Sequence, residues 1–169
     1  MKIKFICEVN IFYECEKEER KSLMCEFIKM IENFGDDVEI SFISKIDIVS
    51  LLTFMSEIGE VIKEIDSPVS LGYQYGENKI YKRGIIDTSS FGYLGELGND
   101  VFQRGFNKIF FIDNSKIICN IVKGQLLKNS PNSEIITIHP NKKEIFGIQA
   151  LIEQLKTLQS QRLIRTKNS

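Results

Sequence analysis

The segment KIFFIDNS, residues 108–115, joins a short apolar run to three consecutive polar residues. An apolar run of this length is typical of a strand that is buried on both faces, as in a parallel sheet. The run ends abruptly at Asp113, and Asn114 and Ser115 follow directly. We therefore predict an interior strand from Lys108 to Asp113 with polar groups at its carboxyl end.

Three other segments have the composition of strands. Residues Ile3 to Ile11 are rich in Ile, Phe, Cys and Val and predict a central strand, covered on both faces. Val38 to Ile43 predicts a second strand. Glu134 to His139 is a β-branched run before Pro140, and it predicts another interior parallel strand.

Apolar residues recur at spacings of three and four in the segments Glu16–Phe34, Asp47–Ile62 and Phe146–Leu158, which predicts three amphipathic helices. Strands joined by crossover helices and tight turns form right-handed parallel units. The expected fold is therefore α/β, with a three-layer, doubly wound, mostly parallel sheet. We expect a single domain over residues 1–160 and a flexible basic tail over residues 161–169.

The middle of the chain is less regular. Val69 to Lys82 carries aromatic residues around Gly76, Glu77 and Asn78, which predicts a small hairpin. The glycine-containing stretch that follows predicts a short helix from Phe91 to Phe102. The basic residues of the tail, Arg162, Arg165 and Lys167, are interpreted as a solvated chain end.

Composition excludes several classes of protein. The 169 residues include 22 basic and 23 acidic side chains, so no overall field favours nucleic acid or an anionic membrane, and such a partner would need a local patch. No apolar stretch approaches the roughly 20 residues that a membrane span requires. The sequence also lacks the glycine-rich signatures of nucleotide kinases and dinucleotide-binding proteins.

The cysteines, Cys7, Cys15, Cys25 and Cys119, have no paired close spacing. Reduced thiols and the absence of a signal-like start predict a cytoplasmic protein. The scattered cysteines and a single histidine, His139, cannot supply a local zinc ligand set. His139 follows a predicted strand, and both a structural or solvent-facing role and a catalytic role stay open for it.

Polar residues at strand ends are the candidates for function, because ligands of doubly wound sheets bind beyond the carboxyl ends of the strands. These candidates are Glu8, Asn10, Ser44, Lys45, His139 and the segment Asp113–Ser115. An acidic residue that emerges from an apolar strand can hold a hard cation such as Mg²⁺. Alternatively, Asp113 or Ser115 caps the next helix, because both types accept hydrogen bonds from free amides.

Three segments follow one another in a specific order: Tyr81-Lys82-Arg83, a glycine-containing turn from Gly95 to Asp100, and the strand from Ile109 to Ser115. This part of the chain is similar to the small phosphatases of the haloacid dehalogenase superfamily that act on the carboxy-terminal domain of RNA polymerase. Those enzymes have a Tyr-x-Lys-Asp-like stretch, a short turn and an apolar strand ending in Asp-Asn-Ser. The order of the predicted elements also resembles that superfamily.

The resemblance implies a Rossmann-like fold and a set of site residues. Lys82, or alternatively Lys79, would bind phosphate, and Ser44, or alternatively Ser41, would donate a hydrogen bond to the phosphoryl group. Asp113 would be the acidic magnesium ligand. Glu8 and Asn114 are the other candidate metal ligands. The implied cofactor is Mg²⁺, and the implied partner is a phosphorylated small molecule or protein.

The first strand departs from the family pattern. The family has Asp-x-Asp after this strand, with a nucleophile and an acid–base group, whereas this chain has Glu8-Val9-Asn10. The Glu8 side chain is one methylene longer than aspartate, which displaces its carboxylate from the geometry of in-line attack. Asn10 cannot exchange a proton, and general acid–base catalysis typically contributes about 10²–10⁴-fold.

The leading hypothesis is therefore a domain like those of this superfamily, with a diverged catalytic site, that binds a phosphate-bearing ligand or a protein partner with little or no turnover. An alternative is an active Mg²⁺-dependent phosphohydrolase with an atypical site. A second alternative is a protein-binding adaptor that uses the aromatic segment from Tyr73 to Tyr81.

Overall fold

The structure is a computed structural model that describes residues 1–43, 48–71, 105–140 and 147–167. Its strands are β1 (Lys2–Glu8), β2 (Asp37–Ile43), β3 (Ser70–Leu71), β4 (Lys108–Ile112) and β5 (Glu134–Ile138). Its helices are α1 (Asn10–Tyr13), α2 (Lys17–Glu32), α3 (Ile48–Glu64), α4 (Lys116–Asn129) and α5 (Gly147–Lys167).

The strands form one sheet in the order β3-β2-β1-β4-β5, and every neighbouring pair is parallel. The chain first builds the sheet outward from β1 through β2 to β3. It then returns to the other side of β1 and adds β4 and β5. This doubly wound order confirms the predicted α/β class and the central position of the first strand, and it creates a topological switch point between β1 and β4.

Alternate residues of the strands enter different layers. Phe5 and Cys7 of β1 belong to a core cluster with apolar residues of α2, α3 and α5. Ile6 belongs to a second cluster, with Phe111 of β4 and with Cys119, Val122 and Leu126 of α4. Because successive strand residues point to opposite faces, helices cover both faces of the sheet and give the predicted three layers.

Aromatic side chains fill the larger cluster. Phe5 of β1 stacks on Phe110 of β4 with ring centroids 4.5 Å apart and an interplanar angle of 6°. Phe34, which follows α2, meets the edges of both rings at 5.6 and 5.2 Å. These contacts fix α2 against the two central strands, since buried aromatic pairs contribute beyond the area that they remove from water.

The smaller cluster adjoins a buried polar group that the sequence analysis did not predict. Lys4 of β1 is 0% exposed, and its Nζ donates to Glu39 Oε1 at 2.9 Å and to Ser41 Oγ at 2.7 Å. The ammonium group also lies 5.5 Å from the ring centroid of Phe106. Lys4 and Glu39 are paired in register across β1 and β2, so their side chains leave the sheet on the same face.

Two strand predictions need correction. The first strand ends at Glu8 and not at Ile11, because Val9 already has helical dihedral angles and Asn10–Tyr13 forms α1. Ile11 and Phe12 are buried, and a buried short helix is as apolar as a buried strand. The predicted interior strand at Glu134–His139 is instead β5, the outermost strand of the described sheet on its side.

The remaining differences concern the middle and the end of the chain. Ser70 and Leu71, placed in a hairpin from the sequence, pair in parallel with β2. The rest of that hairpin and the predicted helix from Phe91 to Phe102 lie outside the described residues. The final helix continues to Lys167, past the predicted end at Leu158, so the backbone of residues 161–167 is helical.

The cysteines and the helices bear on two further expectations. Cys7, Cys15, Cys25 and Cys119 are all free thiols, and Cys7 and Cys119 are buried. Among the helices of the described ranges, none combines the length and the apolar character that crossing a bilayer needs.

The Lys4–Glu39 pair yields a prediction about stability. We expect Lys4→Met to lower the free energy of unfolding by about 3–5 kcal/mol, because Glu39 would be left as a buried charge without its ammonium partner. The double variant Lys4→Met/Glu39→Leu should be more stable than the single variant, since it buries no carboxylate at that position. Urea unfolding of both variants measures the difference. A double variant less stable than Lys4→Met would contradict this assignment.

Candidate functional site at the carboxyl edge of the sheet

Two buried carboxylates lie at the switch point between β1 and β4. Cys7 of β1 is paired with Ile112 of β4, and the next residues along the two chains are Glu8 and Asp113. Glu8 is 1% exposed and Asp113 is 0% exposed. The carboxyl ends of these adjacent parallel strands therefore bring together two acidic residues that are about 100 positions apart in the sequence.

Asp113 is held by the turn that leads into α4. Its backbone N–H donates to the Ile138 carbonyl at 3.1 Å, and its Oδ1 accepts from the Ser115 N–H at 2.8 Å. Ser115 is the N-cap residue, and its Oγ accepts from the Ile118 N–H at 3.3 Å. The capping interpretation of this segment is thus confirmed. The assignment of Asp113 as a metal ligand stays a prediction.

Glu8 is held in a similar way on the neighbouring strand. Its Oε1 accepts from the backbone N–H of Asn10 at 3.1 Å, at the start of α1. The carboxylate is therefore bound back onto its own turn, as the Asp113 carboxylate is on the other strand. Both acidic groups have one oxygen fixed by a backbone amide, which limits the rotamers that they can adopt.

A third acidic residue, Glu14, ties the turns of this edge together. Asn114 Nδ2 donates to Glu14 Oε1 at 2.6 Å, and the backbone N–H of Gly147 at the start of α5 also donates to the Glu14 carboxylate. Desolvation raises the pKa of Glu14, and these two hydrogen bonds partly offset the rise. Sequence reasoning missed Glu14 because it follows α1 and not a strand.

Gly147 is required by this arrangement. Its φ of 65° lies in the left-handed region, and a Cβ there would be 2.7 Å from the Ile11 carbonyl oxygen and 2.9 Å from Glu14 Cβ. Only glycine permits both the dihedral angle and the close approach. The start of α5 is therefore packed directly against the turn that carries Glu14.

The electrostatic effect of the two carboxylates is seen at Cys7. Burial raises the pKa of the Cys7 thiol well above its ordinary value, and the charges of Glu8 and Asp113 raise it further. The thiol therefore stays protonated at neutral pH and is a poor nucleophile. The Cys7 Sγ–H donates to the Glu8 carbonyl at 3.7 Å, which is a structural contact.

The other residues predicted for the site have different positions. Ser44, Lys45, Lys79 and Lys82 lie outside the described residues. Ser41, the alternative to Ser44, lies two residues before the end of β2 and accepts from Lys4 Nζ. The side chain of His139 is exposed, and its backbone carbonyl accepts from Gln154 Nε2 at 3.3 Å. Asn10 is half-buried next to Glu8.

The donor set fits a hard cation better than a transition metal. Within the described ranges no group of three or more His, Cys, Asp and Glu residues is arranged to hold a metal ion. Glu8 and Asp113 nevertheless supply carboxylate oxygens, and Mg²⁺ is often bound by one or two carboxylates together with waters and substrate phosphates. Zinc would need further nitrogen or sulfur ligands.

A cavity at the opposite edge of the sheet has less chemical potential. It has a volume of about 280 Å³ and lies between the turn that precedes β4 and the turn that precedes β5. Its polar lining residues are neutral: Asn107, Ser130, Asn132 and Ser133. Asn107 Oδ1 already accepts from the Lys2 N–H, and Ser133 Oγ donates to the Phe106 carbonyl. The carboxyl edge is therefore the better candidate.

Known proteins do not assign roles to these residues. The sequence matches no family profile, and no curated protein or solved structure is significantly similar to it. The likeness to the haloacid dehalogenase superfamily thus depends on short segments, and much of the region between Tyr81 and Ser115 lies outside the described residues. The buried carboxylates at the switch point are the main structural evidence about function.

Gly147 yields a prediction with a matched control. We expect Gly147→Ala to lower the free energy of unfolding by about 1–2 kcal/mol or more, because alanine is disfavoured at this φ and its Cβ would displace Ile11 and Glu14. Gly124→Ala in α4 should instead stabilise the protein by up to about 1 kcal/mol, since alanine is the better helix former. No neighbouring atom lies within 4 Å of a Cβ built at Gly124. Urea denaturation compares the two, and equal effects would contradict the proposed packing of Gly147.

Proposed function

We propose that this chain is a domain like those of the haloacid dehalogenase superfamily, with a diverged catalytic strand, and that it binds a phosphate-bearing ligand with little or no turnover. The supporting observation is the pair of buried carboxylates, Glu8 and Asp113, on adjacent strand ends at the switch point. These are the positions after the first strand and after the Asp-Asn-Ser strand at which the resemblance implies the nucleophile and the acidic metal ligand.

In this proposal Glu8 and Asp113 bind Mg²⁺. Two carboxylates so close together and so well buried repel each other, and a divalent cation between them relieves that repulsion. The cation attracts phosphoryl oxygens, which complete its coordination. Asn114 positions the turn beside the pair through its hydrogen bond to Glu14. Lys82 or Lys79 and Ser44 are the proposed phosphate-binding residues on the ligand side.

Low turnover is proposed because of the residues after β1. Glu8 is one methylene longer than aspartate, and its Oε1 is bound by the Asn10 N–H, so the carboxylate is turned back toward its own strand. In-line attack on phosphorus depends on placement within a fraction of an ångström. Asn10 supplies an amide where an acid–base group is needed. The ligand, a phosphorylated small molecule or protein, would therefore be bound and not hydrolysed.

Magnesium binding tests the metal part of this proposal. We expect calorimetry to detect Mg²⁺ binding by the wild-type chain, and we expect Asp113→Asn and Glu8→Gln each to weaken it about ten-fold or more through loss of a charged ligand. Glu134→Gln is the matched control, because Glu134 lies at the opposite edge of the sheet, where it pairs with Lys108. Absence of Mg²⁺ binding by a folded wild-type chain would reject the metal site.

Turnover distinguishes the diverged domain from an active phosphohydrolase. We expect the wild-type chain with Mg²⁺ to hydrolyse p-nitrophenyl phosphate, nucleotides and phosphopeptides at rates close to the uncatalysed background. The double variant Glu8→Asp/Asn10→Asp restores the family motif and should raise the rate, by about 10²-fold if an acid–base group is regained. Robust wild-type turnover that Glu8→Ala abolishes would instead establish the active phosphohydrolase.

A further inference from the structure

The outer surface of α4 is apolar at several positions where a solvent-exposed helix is usually polar. Its inward residues, Cys119, Val122 and Leu126, belong to the smaller core cluster. On its outer side Ile117 is 71% exposed, Ile121 38% and Leu127 41%. These three side chains are half of the exposed large hydrophobic residues among those described.

These apolar residues lie close together along one side of the helix. Ile117 and Ile121 are one turn apart, and Gly124 continues the same line, because residues at spacings of three, four and seven share a helix face. Leu127 lies on the adjacent line beside Gly124. The segment from Ile117 to Leu127 extends about 15 Å along the helix axis. A Cβ at Gly124 would meet no neighbouring atom within 4 Å, so this position forms a shallow notch.

The same helix carries only positive charges. Lys116, Lys123 and Lys128 are exposed, and α4 contains no aspartate or glutamate. We call the surface formed by these lysines with Ile117, Ile121, Gly124 and Leu127 the α4 surface. The chain as a whole has a net charge of −1, so this basic helix is a local departure from the overall balance.

We propose that the α4 surface docks an acidic segment of another protein that presents apolar side chains in a helical pattern. Exposed isoleucines favour burial against a partner, and the lysines select a partner with carboxylates on both sides of its apolar stripe. The notch at Gly124 lets the partner approach closely. This interaction is independent of the proposed phosphate site, although Ile117 lies only two residues after Ser115 and so places the partner beside the carboxyl edge.

Charge and composition disfavour two other occupants. In a symmetric dimer through this surface, the lysines of the two copies would face each other, and like charges would oppose association. Helices that bind lipid surfaces usually carry Trp, Phe or many Leu residues on the apolar face. The α4 surface has no aromatic residue, and a net charge of −1 gives no long-range attraction to an anionic bilayer.

The test uses a fluorescein-labelled synthetic peptide about four turns long, with Leu at helical spacing and Glu elsewhere. Its controls are a peptide of the same composition in scrambled order and a peptide with Lys in place of Glu. We expect fluorescence anisotropy to show saturable binding of the ordered acidic peptide, which weakens as salt is added. Ile117→Ser/Ile121→Ser should weaken binding about ten-fold or more.

Two further variants separate docking from a general effect on the protein. Val49→Ser/Leu52→Ser removes the exposed apolar residues of α3, 67% and 44% exposed, and should leave binding unchanged. The charge reversal Lys116→Glu/Lys123→Glu should reduce binding of the acidic peptide and favour the Lys peptide. All of these positions are exposed, so the melting temperature should stay close to that of the wild type.

The proposal is overturned if no ordered acidic peptide binds, if the scrambled peptide binds equally well, or if the isoleucine variant binds like the wild type. It is also overturned if vesicles of phosphatidylcholine and phosphatidylserine bind in preference to the peptide. Sedimentation that shows a wild-type dimer abolished by Ile117→Ser/Ile121→Ser would assign the surface to a second copy of this chain. None of these measurements uses Mg²⁺ or phosphate, so failure here leaves the proposed function untouched.

Discussion

The pairing of β1 with a parallel strand on each side is the constraint on which the rest of the structure depends. β2 and β4 satisfy its backbone groups, and helices cover both of its faces, so the strand interior is closed to water. Every polar side chain on β1 must then find its partners within the protein. Lys4 meets this requirement through Glu39 and Ser41 on the neighbouring strand.

The sheet thus contains two different environments for a buried carboxylate. Glu39, in the middle of β2, has an ammonium group at 2.9 Å and serves the packing of the sheet. Glu8 and Asp113 lie where the strands end, and each has one oxygen bound by a backbone N–H of the following turn. Strand ends are followed by turns that can open toward a ligand, whereas the middle of a strand is enclosed by its neighbours. The carboxyl edge is therefore where acidic groups can act on something outside the chain.

Overall charge is a poor guide to the surface of this protein. The near balance of acidic and basic residues predicts no global attraction to any charged partner, and nothing in the described structure changes that. The lysines of α4 are nevertheless gathered on a helix without carboxylates, next to exposed isoleucines. The distribution of charge over the fold, and not its sum, decides which surfaces can recognise a partner.

The sequence by itself determined the fold class, because an apolar run such as residues 108–112 fits a strand buried on both faces and the spacing of Leu23, Phe27, Met30 and Phe34 fits an amphipathic helix. It also located the acidic residue at the end of that strand and the cap at Ser115. Periodicity could not separate the buried helix α1 from a continuation of β1, because both are uniformly apolar.

Only the tertiary structure decided which strands are neighbours. Strand order depends on long-range pairing that leaves no local pattern in the chain, so the outer position of β5, the Lys4–Glu39 pair and the contact of Asn114 with Glu14 could not be predicted. The same pairing brings Glu8 next to Asp113, since adjacent parallel strands end at the same edge of the sheet.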